Sequence, residues 1–356
     1  MTFSDQHIAA IQTLGYTPDE ARFLYLVAIH SGYFVPRQFL TFSGAKRGKR
    51  SNQFTGKLES RGHATWREYD RTGGVYHLFT KTLYRLIGKE NLRNRRRHSV
   101  EFIRTRLLLL DFILANLGFD YFETEPDKVA FFCDRIGVPR KLLPAKAYEG
   151  GPRSEPTLRY FVDKFPLFLD RTDSSSSPVV TFSYVDPGQA SLAGLANHLH
   201  AYLPLLRQLE RFSFLYIANS PIHFVPADQC FSSLVRAPLE ADISSEILRY
   251  FRLRHAWELK EYGSLSATDI EWLKEATHRF HRDHFEATYL AWASGALTEQ
   301  ALRAEFRELH PHRSVSFRTC LVAATRFGKK NSVEDRESAL HSSTSPDASR
   351  LASPLR

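Results

Sequence analysis

Cysteine is scarce in this chain, with three residues among 356. Cys133, Cys230 and Cys320 lie far apart and form neither a CxxC pair nor a Cys/His cluster with zinc-site spacing. This pattern excludes a disulfide-stapled fold and gives no support to a structural metal. We therefore expect a reduced, cytoplasmic protein that uses no metal and no cofactor.

Long apolar runs are also missing. The longest candidate, 107–117, falls well short of the roughly 18 residues of a membrane helix and contains Asp111 and Asn116. The first residues, Met1–Asp5, have neither the basic nor the apolar segment of a signal peptide. The sequence predicts no membrane partner.

Catalytic signatures are the third absence. The patterns GxxxxGK[ST], GxGxxG and GxSxG do not occur. A nuclease of the restriction-endonuclease type needs an acid and a Lys two positions apart on one strand, so that both face the same Mg²⁺. Asp163 and Lys164 are adjacent and point to opposite faces, and the strand-like run 181–186 has no Lys. We expect no enzymatic activity and no catalytic residues.

Positive charge, by contrast, is concentrated near the N-terminus. Residues 1–110 contain 19 Lys and Arg against 8 Asp and Glu, whereas residues 111–356 contain 29 against 31. The formal net charge of +9 therefore comes from the first third of the chain. A basic module joined to a nearly neutral body is typical of a protein that docks on phosphates, although a solvated basic face without a partner gives the same pattern.

The first 92 residues have the element order of a winged helix-turn-helix. Helical spacing predicts helices from Pro18 to Gly32, from Pro36 to near Gly44, and from about Ser51 to Arg61. Strand-like runs at 64–69 and 75–79 are joined by a hairpin turn signal. In such a module the third helix fits the major groove of DNA and the hairpin lies along the neighbouring backbone. A winged helix can also serve protein–protein contact, but that use seldom needs so much positive charge.

The candidate DNA contacts follow from this alignment. Polar side chains at the start of the third helix are candidates for reading base edges, whereas the cations around them contact phosphates and position the protein without specifying a sequence. The arginine run at 95–97 is either a second phosphate contact or a solvated hinge. The predicted DNA-binding residues are Lys46, Arg47, Lys49, Arg50, Ser51, Asn52, Gln53, Lys57, Arg61, Arg67, Arg71, Arg95, Arg96 and Arg97.

The remainder of the chain has an α/β pattern followed by helices. Strand-like runs occur at 128–133, 158–162, 179–185 and 212–218, and the helical run 191–211 between the last two predicts a βαβ unit with a parallel strand pair. The expected fold class is α+β or α/β with several domains. The predicted divisions are a winged helix (1–92), a connecting helix (93–117), a small α/β domain (118–235), a C-terminal helical region (236–328) and a disordered tail (329–356).

Three segments resemble the replication-relaxation family, winged-helix proteins of bacterial plasmids and integrative elements that are similar to mobilisation accessory proteins. Pro36–Leu40 is similar to the start of the family's second helix. Arg61–His63, leading into Val75–Thr80, is similar to its wing. Phe182–Gly188, followed by His198, Leu199 and Tyr202, lies where the family has an acid-bearing strand and a helix.

The resemblance covers about residues 15–225 and implies a degenerate restriction-endonuclease-like scaffold in the α/β domain, because Asp186 is the single acid left on that strand. It implies double-stranded DNA as the partner and a bacterial, nucleoid- or plasmid-associated location. The expected function is that of a transcriptional regulator or of a replication or mobilisation accessory factor. A homodimer or a protein partner would bind through the α/β domain. The alternatives are a metal-dependent nuclease with a non-standard site and a protein-interaction adaptor.

Overall fold

The computed structural model of the chain describes residues 3–45, 49–69, 73–148, 157–163, 165–170, 179–188, 191–237, 243–281, 283–309 and 314–323. Within these ranges the protein is a mixed α/β structure with three separate β-sheets, consistent with the predicted α+β class. No helix in the described part of the chain combines the length and the apolar character needed to cross a bilayer.

An N-terminal unit combines short helices with a three-stranded antiparallel sheet. Its elements are α1 (Asp5–Gln12), α2 (Pro18–Leu26), β1 (Tyr33–Phe34), α3 (Pro36–Ser43), α4 (Lys49–Ser60), β2 (Ala64–Glu68), β3 (Gly74–Leu78) and α5 (Lys81–Leu86). The strand order in the sheet is β1-β3-β2. The sequence sets the start of α2, because Thr17 and Glu20 form a capping box and Pro18 occupies the first turn.

The end of α2 is fixed by a close backbone approach. The helix continues into a π-helical turn, Val27–Ser31, which ends at Gly32 with a φ of +80°. A Cβ on Gly32 would lie 2.3 Å from the carbonyl oxygen of Asn94, so only glycine fits. The Asn94 side-chain amide donates to the carbonyls of Ala28 and Ile29 at 2.9 and 2.8 Å. The basic turn around Asn94 is therefore tied to α2.

Aromatic side chains form the core of the N-terminal unit. Phe23, Phe34, Phe39 and Phe54 are fully buried. The Phe54 ring on α4 stacks on Phe39 of α3, with centroids 4.1 Å apart, and meets Phe23 of α2 at 5.9 Å. Such pairs add specific geometry to the burial of apolar area. This cluster fixes the orientation of α4 and therefore determines which of its side chains are exposed.

The connecting helix α6 (Val100–Ala115) is buried on two sides. Ile103 and Leu107 pack against the small sheet, whereas Phe112 and Ile113 pack in a cluster with the central sheet. The helix therefore belongs to both hydrophobic cores. This sets the position of the N-terminal unit relative to the α/β domain.

The central sheet has five strands in the order β10-β9-β8-β7-β4. Strands β8 and β9 are parallel, with Thr181 opposite Ser213, and α8 connects them, so the predicted βαβ unit is confirmed. Strand β7 is antiparallel to both β8 and β4, and β5 and β6 form a separate antiparallel pair. The elements of this region are β4 (Asp120–Tyr121), α7 (Glu125–Ala130), β5 (Ala145–Tyr148), β6 (Thr157–Tyr160), β7 (Phe168–Asp170), β8 (Val179–Asp186), α8 (Leu192–Leu206), β9 (Arg211–Ala218) and α9 (Phe224–Phe231).

The strand predicted at 128–133 is wrong. The segment belongs to α7 and to a π-helical turn, Phe131–Arg135. Thr124 accepts a hydrogen bond from the Asp127 backbone N–H, and the Asp127 carboxylate accepts one from Thr124 N–H, so a capping box starts a helix here. A short apolar run fits a buried strand or a buried helix equally well, and the cap decides between them.

The C-terminal region predicted to be helical contains four α-helices and one strand within its described residues. The elements are α10 (Ile243–Glu258), α11 (Ala267–Phe280), α12 (Asp283–Ala293), α13 (Glu299–Leu309) and β10 (Ser314–Leu321). The strand was not expected: β10 is parallel to β9 and extends the central sheet, with Val315 and Phe317 packed on the α/β core. The predicted disordered tail, 329–356, lies outside the described residues.

Candidate nucleic-acid interface

Helix α4 has one buried face and one polar face. Phe54 and Leu58 are fully buried and Thr55 nearly so, at the three- and four-residue spacing of a helix. Lys49, Arg50 and Gln53 are exposed and Asn52 is half-buried. The exposed positions combine cations with amides, which are the groups that contact phosphates and base edges.

Ser51 faces inward, unlike its predicted neighbours. The residue is 3% exposed, and its side-chain hydroxyl has no hydrogen-bond partner among the described residues. Its carbonyl accepts a hydrogen bond from Thr55 Oγ1 at 3.1 Å. The helical period places Ser51 beside Phe54 and Thr55 on the core side, so it is not on the exposed face where we expected a base contact.

Lys57 is tied to α2. Its Nζ lies 2.6 Å from Glu20 Oε2, and the two side chains are 25% and 7% exposed. The same carboxylate oxygen accepts the Thr17 backbone N–H at 2.8 Å, so one carboxylate serves both the helix cap and the ion pair. Because removing one partner of a buried ion pair is destabilising, Lys57 holds α4 against α2.

Arg61 lies at the C-terminal end of α4 and is exposed. Its Nη1 donates to the Leu14 carbonyl, and its guanidinium lies 5.3 Å from the centroid of the Tyr16 ring. The Tyr16 hydroxyl is hydrogen-bonded to His63 Nδ1 at 2.7 Å. Burial and the Arg61 charge lower the pKa of His63, which favours its neutral form. The Arg61 charge is therefore fixed in place by the loop before α2.

Arg50 forms an exposed ion pair. Its Nη2 lies 2.8 Å from Asp19 Oδ2, and the side chains are 46% and 44% exposed. Exposed pairs contribute about 0–1 kcal/mol, so a phosphate can replace Asp19 at little cost. Asp19 was not among the predicted site residues, although its position in the first turn of α2 was a usable signal.

A second basic group surrounds a buried ring stack. Tyr33 of β1 and His77 of β3 stack with centroids 4.4 Å apart, and Tyr33 Oη is 3.2 Å from His98 Nδ1. The charges of Arg67, from β2, and Arg97 both act on Tyr33 and His77. The fold thus brings the strand and the arginine run to the same side of the small sheet.

The three arginines of the run differ in their surroundings. Arg95 donates from Nε to the Glu90 carbonyl at 3.0 Å and from Nη1 to the Phe79 carbonyl at 3.4 Å, so it closes a turn. Arg96 and Arg97 are exposed. Three other predicted contacts, Lys46, Arg47 and Arg71, lie outside the described residues.

Two carboxylates in the α/β domain are bound by side chains that the sequence did not connect. Asp163 Oδ2 accepts from Tyr202 Oη at 2.8 Å and lies 3.1 Å from His198 Nδ1. Asp186 Oδ2 accepts from Tyr216 Oη at 2.5 Å and lies 3.2 Å from His223 Nδ1. Among the described residues, no group of three His, Cys, Asp or Glu side chains is placed to share a metal ion.

Comparison with protein-family models, with curated proteins and with solved structures finds no match to this chain.

His77 generates a testable pH dependence. Its Nε2–H donates to the Asn94 carbonyl at 3.2 Å, and burial is the main cause that lowers its pKa from 6.5 to about 4. The unfolded chain therefore takes up the proton first, and stability that is complete above pH 6.5 is lost as the pH falls towards 4. Wild type should lose roughly 2–4 kcal/mol more than His77→Gln in the free energy of unfolding over this window.

Urea denaturation at a series of pH values measures this difference. The exposed His200→Gln variant is the matched control and should follow wild type. Parallel losses in wild type and His77→Gln would contradict the assignment.

Proposed function

We propose that the chain binds double-stranded DNA through a winged helix-turn-helix formed by α2, α3, α4 and the β1-β3-β2 sheet. The observation that carries the proposal is the combination of this element order with the polar, cationic outer face of α4. A helix fits the major groove, and a two-stranded hairpin beside it reaches the neighbouring backbone. Helix α4 is the recognition helix of this proposal, and β2–β3 is the wing.

The individual contacts divide by chemistry. Lys49 and Arg50 are assigned to phosphates, since cations position a protein on the duplex without reading its sequence. Asn52 and Gln53 are assigned to base edges, since amides can form paired hydrogen bonds with adenine. Lys57 and Arg61 support α4 from within, through the Glu20 and Tyr16 contacts. Ser51 is left out because it is buried.

Arg67, Arg96 and Arg97 extend the basic surface. Arg67 lies on the strand of the proposed wing, and the two exposed arginines follow the turn that Asn94 anchors to α2. Phosphate contacts at these positions would lie outside the groove occupied by α4 and add affinity without sequence information.

The α/β domain supports a non-catalytic role. From α6 the chain passes through β4, α7, the separate β5–β6 pair, β7 and β8, and α8 then leads to the parallel strand β9. None of β7, β8 and β9 carries a Lys. Asp170 of β7 is bound instead by Arg318 of β10, at 3.1 Å. We propose that this domain is a scaffold for a second copy of the chain or for a protein partner.

The biological setting comes from the family resemblance. The segments that are similar to the replication-relaxation family lie in the proposed winged helix and on β8 and α8. We propose a role on a bacterial mobile element, as a transcriptional regulator or as a replication or mobilisation accessory factor. Both roles need DNA binding, and neither needs DNA cleavage.

DNA binding across a salt series tests the central proposal. Wild type should bind duplex DNA with an affinity that falls steeply with salt, because bound phosphates release counterions. Lys49→Ala/Arg50→Ala should bind more weakly, with a log–log slope shallower by about two units. The charge-matched control Lys141→Ala/Lys274→Ala removes two exposed lysines from other regions and should behave as wild type. Absence of wild-type binding, or equal slopes in both double variants, would contradict the proposal.

The Asp19–Arg50 pair predicts a variant that binds DNA more tightly than wild type. Asp19→Asn removes the carboxylate that lies 2.8 Å from the Arg50 guanidinium and also removes a negative charge beside the DNA phosphates. Affinity for duplex DNA should rise by roughly threefold at about 0.1 M salt, where surface charges still interact over about 10 Å. Fluorescence anisotropy with labelled duplex measures the change.

Asp134→Asn is the matched control for that variant, since Asp134 is an exposed aspartate outside the basic face. It should leave the affinity unchanged. An equal rise in both variants would show a general charge effect and not a contact of Arg50.

A further inference from the structure

A cavity of about 140 Å³ lies between the N-terminal unit and the α/β domain. Its walls come from the π-helical turn after α2, residues 91–93, α6, residues 122–125, α7, and residues 159–162, 165 and 166. A single water needs about 10–15 Å³ of such space, so the cavity has room for a small organic ion. An occupant would touch both parts of the molecule.

Two buried cations face this cavity. Arg106 of α6 is 2% exposed, and its Nη1 donates to the His30 carbonyl at 3.3 Å. Lys128 of α7 is 6% exposed, and its Nζ donates to the Phe165 carbonyl at 3.3 Å. Burial is the main cause that lowers the pKa of Arg106 to about 10 and that of Lys128 to about 8. Both values record the unfavourable burial of positive charge, which a bound anion would relieve.

The acidic groups near the cavity have partners of their own. Glu123 Oε2 accepts from Tyr25 Oη at 2.7 Å, and Glu125 Oε1 accepts from the Tyr160 backbone N–H at 2.8 Å. The negative charge of Asp163 raises the pKa of both buried cations. The same carboxylate is also bound by His198 and Tyr202.

Two further arginines line the cavity, so the lining carries four cations against two carboxylates. They are Arg93 and Arg159, and Arg159 Nη1 lies 3.5 Å from Glu125 Oε2. The lining therefore has a surplus of positive charge.

Two other features of the wall are typical of a built site. His30 lines the cavity, and its Nε2 has no hydrogen-bond partner among the described residues. Burial lowers the pKa of His30 to about 3, so the ring is neutral and can donate a hydrogen bond. Phe161 has a φ of +48°, a strained conformation for an aromatic residue, and such strain is frequent at ligand-binding positions.

We propose that this cavity binds a small phosphate-bearing anion, with Lys128 and Arg106 as the buried charge partners and Arg159 at the rim. These three cations offer several donors to phosphate oxygens, and charge-assisted hydrogen bonds to phosphate are the strongest contacts that these groups form. DNA phosphates are excluded by depth, because a duplex cannot reach a guanidinium that is 2% exposed. The proposal does not depend on DNA binding.

Thermal denaturation with inorganic phosphate as the probe tests the site, in the full chain and without DNA. Ionic strength is held constant with chloride. Wild type should show a saturable rise in melting temperature, since a ligand that binds only the folded state stabilises it. Acetate, a single-charged anion, should have a weaker effect. No saturable rise, or an equal rise with acetate, would overturn the proposal.

Variants locate the binding. Lys128→Met should weaken phosphate binding by about tenfold or more, the effect of losing one charge-assisted contact. Its melting temperature without phosphate is the reference for this comparison, because removing a buried cation whose charge acts on Asp163 lowers the stability of the folded state. Lys141→Met, an exposed lysine outside the cavity, should bind as wild type.

Arg159→Gln provides a second variant at the rim, where the side chain is 51% exposed and an exposed ion pair contributes only about 0–1 kcal/mol to stability. It should also weaken phosphate binding, by a smaller factor than Lys128→Met. Unchanged binding in both the Lys128 and Arg159 variants would overturn the site.

Discussion

The structure depends on the burial of α6 between two hydrophobic cores. Four successive leucines, 107–110, point to different sides of the helix, and each of them packs in a hydrophobic cluster. Each fully buried leucine contributes roughly 1.5–3 kcal/mol, so the helix binds the small sheet and the central sheet strongly. Polar groups on such a helix have to be satisfied inside the molecule. Asp111 is therefore bound by Gln38 at 3.0 Å and by Arg37 at 3.2 Å, and Arg106 lies in the cavity wall.

The basic character of the N-terminal unit is divided between internal support and exposed charge. Lys57, Arg61 and Arg95 bind groups of the same unit and hold its helices and turns in place. Lys49, Arg96 and Arg97 are exposed, and Arg50 is held by an exposed pair. The charge excess in the sequence is therefore larger than the charge available to a partner.

Residue spacing and apolar runs in the sequence predicted those elements whose structure depends mainly on neighbouring residues. The spacing of Phe54 and Leu58 predicted the buried face of α4, and the apolar runs around α8 predicted the parallel strand pair. Contacts between distant segments were not predictable in this way. Lys57 meets Glu20 across 37 positions, and β10 pairs with β9 only after the five described α-helices α9 to α13. The predictions for Ser51 and for the segment 128–133 missed contacts of the same kind. Which face of α4 is buried depends on the rest of the fold, and the helix at 125–130 depends on the Thr124 cap.

Hydrogen–deuterium exchange of the full chain, with and without a duplex at low salt, tests the central claim most directly. Backbone amides exchange more slowly where a partner covers them or stabilises the local structure. If α4 lies in the groove and β2 along the backbone, DNA should slow exchange in residues 49–61 and 64–68 and leave 243–258 unchanged. Slower exchange confined to the α/β domain or to the C-terminal helices, with 49–61 unaffected, would contradict the proposed mode of DNA binding.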